Sequence, residues 1–322
     1  MEFFRSPNVN WLGYKWYFLA FSLVFSVAGI LKMSWNWTHT GTPIPLSIDF
    51  RGGTEVQIKF ANQPDLTAIR KAVDAAGFKD ARVQNYGNAD QNEVLISLPE
   101  VASGNSLDAG RQAVVNALHA HYNNSFDDQG IKVDAVGATV GEQLERQASL
   151  AVLWSMLGML VYLWFRFQLI YGVAAVVACF HDTLITVGAF ALAGKEISLT
   201  VIAAILTLVG YSMNDTIVVF DRIRENLRLS RREPLPDLVN RSINQTLSRT
   251  VLTSGLTFLT VLSLYLFGGQ VLNGFSFALV VGILIGTYSS IAVASPMLVA
   301  WQQFRAGQNK TASLPAARRS KG

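Results

Sequence analysis

Two carboxylates lie inside apolar stretches of this sequence, and they are the residues best placed to do chemistry. Asn214 and Asp215 interrupt the run Ile197–Phe220, Thr216 follows them, and the run closes on Asp221 and Arg222. A run of about 24 residues at 1.5 Å rise is long enough to cross a bilayer. A carboxylate placed there costs at least ~2.5 kcal/mol, which makes an intramembrane acid a candidate functional group. One reading has Asp215 reaching headgroup water, because Phe220 is only five residues further on. Its short stem, which snorkels poorly, favours the functional reading. His181 and Asp182 form a second polar insertion, about twelve residues into Leu169–Ala193 and so near the midplane. Adjacent ionisable groups at that depth each need an interior partner. Arg249 opens the next apolar run within Ser248-Arg249-Thr250. An Arg there is either a topology anchor or the partner of Asp215, and both readings stand. Burial favours a neutral acid and a nearby Arg favours the carboxylate, a competition that lets a proton load and leave. A proton crossing the potential carries ~2.3 kcal/mol per 100 mV, enough to bias a two-state rearrangement.

The elements that must hold these groups are membrane helices. The chain has 322 residues, 51% hydrophobic and 15% charged, and its mean hydropathy is positive, too apolar for a soluble α/β protein. Six candidate spans follow from the apolar runs: Trp16–Leu31, Leu150–Phe165, Leu169–Ala193, Ile197–Phe220, Thr250–Phe267 and Val271–Ala300. Arg222, Arg224, Arg228, Arg231, Arg232, Arg241 and Arg249 fill segment 221–249, and Arg305, Lys310, Arg318, Arg319 and Lys321 fill the tail 302–322. The opposite face carries only Lys195, offset by Glu196. This asymmetry predicts cytoplasmic termini and a cytoplasmic Arg-rich loop. A cleaved leader, suggested by Ser26-Val-Ala28, is the weaker reading, because the apolar stretch is long for one and Arg5 lies well upstream. Small residues at Ala278, Gly282, Gly286, Ser290 and Ala294 make a stripe for close helix packing, inside the bundle or against a partner helix.

Between the first two spans the period changes from helical to alternating. Residues 34–148 carry nine basic against fourteen acidic side chains, a net of −5, and are expected outside as one domain, with 1–33 before it and spans two to six in 149–301. Strands are predicted at Thr54–Phe60, Ala81–Tyr86, Glu93–Leu98 and Ile131–Thr139, and helices from Pro64 to about Ala76 and over Ser106–Tyr122, with Gly87–Asp90 as a turn. That order, βαββαβ, is of ferredoxin-like type. The fold class is thus a membrane all-α bundle of six helices with one exported α+β domain between helices one and two. Asp49-Phe-Arg-Gly-Gly-Thr54 reads as a tight turn using glycine φ > 0, in preference to an anion cradle. His119 and His121, two apart on a helix, do not face one ligand and read as surface residues. Cys179 has no possible internal disulfide partner and reads as a small apolar filler. No catalytic constellation, metal set, cofactor site or nucleotide motif is expected. Gly188 to Gly194-Lys195-Glu196 has the wrong spacing for a phosphate loop, and no aromatics interleave the Arg cluster as nucleic-acid binding would need.

With those residues in place, nearly the whole chain resembles the SecF family of protein-export membrane proteins within the RND superfamily. The resemblance rests on Asp49–Thr54, Val136-Gly-Ala-Thr-Val-Gly141, His181-Asp182, Gly210–Asn226 and Ser242–Thr250, with Ala138 standing where Pro is expected. It implies a subunit, not an enzyme, that works with SecD and proton flow to assist late translocation of unfolded preproteins across the bacterial inner membrane. The SecYEG channel, the SecA motor and YajC are the further partners implied, with no nucleic acid. It assigns the proton path to Asp215 and Arg249; Asp182 is added from its depth, with His181, Asn214, Thr216, Asp221 and Arg222 as supporting polar groups. Two other classes compete: half of a stand-alone RND-type exporter, which would need a partner half, and a non-conducting scaffold, in which Asp215→Asn is silent.

Overall fold

A computed structural model describes residues 7–78, 81–86, 92–98, 107–122, 126, 130–167, 169–230 and 233–312. The turn at 87–90, Arg231, Arg232 and the last ten residues of the basic tail lie outside them. The described chain is mostly helical, with six helices long and apolar enough to cross a membrane and one small antiparallel sheet.

Helix α1 (Lys15–Thr40) leads through a four-residue helix α2 (Ile48–Arg51) into the sheet. Strands β1 (Gly53–Lys59), β2 (Arg82–Tyr86), β3 (Glu93–Leu98) and β4 (Lys132–Val136) alternate with helices α3 (Leu66–Ala75) and α4 (Leu107–His121). The sheet order is β2-β3-β1-β4 with every pairing antiparallel. Alternation places Val56, Ile58, Val83, Val94 and Ile96 in one core with Ile69 and Val73 of α3 and Val114 and Leu118 of α4. The opposite rows, Glu55, Gln57, Arg82, Gln84 and Ser97 among them, are less buried. Asp65 caps α3 by accepting from Thr67 and Ala68 N–H at 2.8 and 3.2 Å. His119 is exposed beside the Phe126 ring; the His121 side chain lies outside the described residues.

Four long helices complete the bundle's chain path: α5 (Ala138–Arg166), α6 (Leu169–Ala193), α7 (Leu199–Leu229) and α8 (Leu235–Phe267). The last crossing is helix α9 (Asn273–Ser289), a single π turn at Ser290–Ala294, and α10 (Ser295–Ala312). Half of the apolar window is buried in α6, α7 and the last crossing, against 6% in α5 and 11% in α1, so those three form the centre and α1 and α5 line the outside. Cys179 is buried on α6, packed in the apolar core.

Several helices extend beyond the apolar runs that mark their spans. The helix that holds the second span begins at Ala138, ahead of the run from Leu150, and the one that holds the fifth begins at Leu235, ahead of Thr250. Helix α1 runs past Leu31 to Thr40, and α7 past Phe220 to Leu229. Hydropathy detects only the lipid-facing part of a helix, whereas backbone hydrogen bonding continues through polar residues. The stretch expected as the loop 221–249 is therefore mostly helix, with Ser230, Glu233 and Pro234 the described exceptions. Pro234 and Pro236 stand at the start of α8, where proline is tolerated. Asn240 and Asn244, one turn apart, hold the segment that precedes α1 there: Leu12 N–H donates to Asn240, Val9 N–H and Trp11 Nε1–H to Asn244, at 3.0–3.2 Å.

The small-residue stripe is internal. A Cβ on Gly282 would come within 2.5 Å of Leu208, and one on Gly286 within 3.1 Å of Ser212 Cβ, both on α7. The last crossing thus lies against the helix that carries Asp215, at a close spacing where an added Cβ would force Leu208 or Ser212 to shift.

Candidate functional site

Asp215 is 2% exposed, on the buried face of α7. Ser254 of α8 donates to its Oδ2 at 2.6 Å. One turn before each partner lies a buried hydroxyl, Tyr211 on α7 and Thr250 on α8, and neither has a hydrogen-bond partner among the described residues. Residues four apart share a helix face, so Tyr211 lies on the face of α7 that carries Asp215 and Thr250 on the face of α8 that carries Ser254.

Arg249 is exposed and makes no ion pair with Asp215 within 4.0 Å among the described residues, yet its charge still acts on that carboxylate through space, so both readings of Arg249 stand. With Asn214, Asp221 and Arg222 it lines a cavity of about 640 Å³, whose wall also includes Arg166 and Glu225. Arg222 donates to Gln245 Oε1 and to Glu225 Oε2, each at 2.7 Å. Thr216 is buried and donates to Ser212 C=O at 3.2 Å, a bond within its own helix. Of the supporting residues, then, Asn214, Asp221 and Arg222 share the cavity with Arg249, while Thr216 serves α7 itself.

Asp182 belongs to a separate network. It is fully buried, and its Oδ2 accepts from Ser212 of α7 at 2.6 Å and Ser289 of α9 at 2.7 Å. His181 Nδ1 lies 3.0 Å from Asp182 Oδ1, and its Nε2 lies 3.1 Å from Ser22 Oγ of α1. Tyr288 continues the chain, with its hydroxyl 3.2 Å from Ser22 Oγ. Four helices are thereby linked through one carboxylate and one imidazole. Ser289 is the last α-helical residue before the π turn, a distortion often found at functional positions.

A third polar group joins the sheet to the bundle. Arg82 of β2 pairs with Glu196, in the turn between α6 and α7, at 3.2 Å. Burial raises the Glu196 pKa, and Arg82 opposes the rise. Glu55 of β1 is pushed up to about 7 by burial first and by the nearby Glu196 carboxylate second, against a weaker opposing hydrogen bond from Ser97. A folded-state pKa raised above the unfolded value means the folded chain binds the extra proton, so stability falls as pH rises from about 4.5 through 7. Thermal unfolding of the purified protein should therefore shift to lower temperature between pH 5 and pH 8. Glu55→Gln should flatten that dependence; an equal pH shift in the variant would dissociate it from Glu55.

The chain as a whole is similar to known proteins. A family model described as protein export membrane protein SecD/SecF, C-terminal, matches residues 115–304, and one for the SecD/SecF GG motif matches residues 40–64. The protein translocase subunit SecF of Koribacter versatilis is 52% identical, with 98% of this chain and 96% of the relative aligned. That of Desulfurispirillum indicum is 41% identical over 92% of this chain and 93% of its own length. The crystal structure of SecDF, a translocon-associated membrane protein from Thermus thermophilus, superposes with a TM-score of 0.79 at 38% identity. It covers 92% of this chain, which spans 39% of that longer one.

Proposed function

The chain belongs to the SecF family of protein-export membrane proteins, and from that premise we propose that it couples proton entry to late steps of Sec-dependent translocation. A role in protein translocation follows from the family itself. The use of the proton-motive force is inferred, and the observation that carries it is Asp215: an ionisable group buried in the bundle and bonded to one serine of a neighbouring helix. A carboxylate kept there for packing alone would be expensive, whereas one that gains and loses a proton can bias two helix arrangements. Asp182 and His181 form a second relay linked to α1, and Arg249 with Asn214, Asp221 and Arg222 forms the polar mouth of the path. The chain acts as a transport subunit without a cofactor, not as an enzyme.

SecD is the expected partner. A SecDF protein of Brucella abortus is 42% identical over 78% of this chain, which accounts for 32% of its length, so a longer, fused chain exists among relatives. SecYEG, SecA and YajC complete the proposed setting, with unfolded preprotein as the load. The βαββαβ unit, with its β2-β3-β1-β4 antiparallel order, is assigned as a ferredoxin-like exported domain that moves against the emerging chain. The reading places the protein in the bacterial inner membrane with both termini cytoplasmic.

The orientation is tested by cysteine labelling in intact cells. An impermeant thiol reagent should modify Asn92→Cys from outside and leave Ser230→Cys untouched; the reverse pattern overturns the assignment. Function is tested in inverted vesicles supplied with SecA and ATP. Export should rise with the proton gradient only where this chain and SecD are both present.

A further inference from the structure

The Asp49–Thr54 segment is not explained by proton transfer, yet its geometry ties the sheet to the helix that carries Asp215. Ile197 N–H donates to Pro45 C=O at 2.8 Å, and Ser47 N–H donates to Ile197 C=O at 3.0 Å. The chain before α2 is thus hydrogen-bonded along the turn that starts α7. Helix α7 begins at Leu199, and the first N–H groups of any helix lack intrahelical acceptors. Ser198 accepts from Val201 N–H at 3.4 Å in the usual capping role. Leu199 N–H instead donates to Asp49 Oδ2 at 2.9 Å, so the helix receives a second, charged cap from a distant part of the chain. Ser47 Oγ donates to that same oxygen at 3.0 Å and holds the carboxylate in place. A carboxylate at a helix N-terminus is also favoured by the helix dipole.

The rest of the segment leaves no slack between Asp49 and the sheet. Gly52 has φ +72° and Gly53 φ +123°, conformations that other residues rarely adopt, and β1 starts at Gly53. A Cβ on Gly52 would lie 2.7 Å from Ala138 Cα. A Cβ on Gly141 would lie 2.7 Å from Phe50 C=O. Helix α2 is therefore wedged between the start of α7 and the first turns of α5. Asp49, Phe50 and Arg51, expected in a tight turn, instead belong to the one-turn helix α2; the expected positive φ falls at Gly52 and Gly53, and Gly52 is needed for space as well. At 1.5 Å per residue, Asp215 lies about 24 Å along α7 from the Asp49 contact.

We propose that Asp49 is the coupling residue between the two halves of the molecule: it passes displacement of α7 to β1 through its hydrogen bond to Leu199 N–H. It is a positioning residue, acting through α7 and never touching a transported proton. The inference rests on the proposed proton-coupled function and names the joint through which that function reaches the sheet.

The test compares the full chain, assembled with its partner subunit in inverted vesicles, with variants at equal membrane levels. Asp49→Ala should cut gradient-stimulated export to about a tenth, the scale of losing one charge-assisted hydrogen bond. Asp49→Asn, which keeps the shape and one acceptor oxygen, should lie between. The deciding variant is Asp49→Ala combined with Ser198→Asp, which returns a charged cap to α7 from its own chain. Thermal stability should recover in the double variant while gradient-stimulated export stays low. Recovery of export together with stability would make Asp49 a helix cap alone and overturn the inference, as would a full gradient response in Asp49→Ala. Asp215→Asn with Asp49 intact is run alongside. If it responds fully to the gradient, the proton-coupled reading fails at its own site, whatever the Asp49 variants do.

Discussion

Asp215→Asn is expected to abolish the gradient-dependent share of export while folding and assembly with the partner persist. Ser254 donates to Asp215 Oδ2 at 2.6 Å, and an asparagine carbonyl oxygen accepts the same hydrogen bond in the same volume. What the substitution removes is the ability to gain and lose a proton. Since one charge carries ~2.3 kcal/mol per 100 mV, the gradient-stimulated rate should fall by about tenfold or more, to the rate seen without a gradient. Asp215→Glu restores the titratable group on a longer stem and should keep part of the response. Arg249→Ala should also impair export, because it strips a cation from the mouth of the cavity that Arg249 shares with Asn214 and Asp221. Export measured in inverted vesicles at equal protein levels decides the matter. A full response in Asp215→Asn would favour the scaffold reading.

Asp182→Ala should behave differently, losing stability as well as transport. Its carboxylate accepts from Ser212 and Ser289 and faces His181 Nδ1, so truncation removes the group that ties α6 to α7 and α9. A buried hydroxyl left without an acceptor costs about 1–3 kcal/mol in general. Measured side-chain hydrogen bonds within membranes are weaker, around 0.6 kcal/mol, because freed groups find other partners. Ser212 loses its acceptor outright, whereas Ser289 can still donate to Gly286 C=O at 3.2 Å, so the expected loss is about 1–2 kcal/mol. It should be read as a lower unfolding temperature in detergent and poorer recovery of the complex. Asp182→Asn, which retains an acceptor, should keep most of the stability and separate the structural contribution from the relay. An Asp182→Ala protein as stable as the unmodified one would show that the network does not hold the helices.

Much of this arrangement was legible in the sequence, for reasons that also mark where legibility stops. Helix α6 was read at its observed limits because its apolar run and its hydrogen-bonded length coincide. Helices α5 and α8 were read short because their polar first turns, from Ala138 and from Leu235, extend the same helices beyond the apolar run. The two acids were identified from the cost of burying charge, which depends only on local context. Their partners were not, because they are distant in the chain: Ser254 is 39 residues from Asp215, Ser289 is 107 from Asp182, and Ser22 is 159 from His181. A serine in an apolar run gives no sign of which carboxylate it will meet. The small-residue stripe disclosed a packing face without its partner, which the contacts of Gly282 and Gly286 with α7 supply. The glycine pair at 52–53 was read through φ alone. Its second reason, the approach to Ala138 at the start of α5, depends on tertiary placement, as does the cap that Asp49 lends to α7.

The central claim is that proton occupancy of Asp215 moves the α+β domain relative to the bundle. The most direct test is the distance between spin labels at Lys59→Cys on β1 and Val271→Cys before α9, measured for the complex in sealed vesicles with and without an imposed proton gradient. Both positions are exposed, and the native Cys179 is buried. The account predicts that the distance distribution shifts when the gradient is applied and that Asp215→Asn fixes it in one state. An unmodified protein whose distances ignore the gradient, or a shift that survives Asp215→Asn, would contradict it.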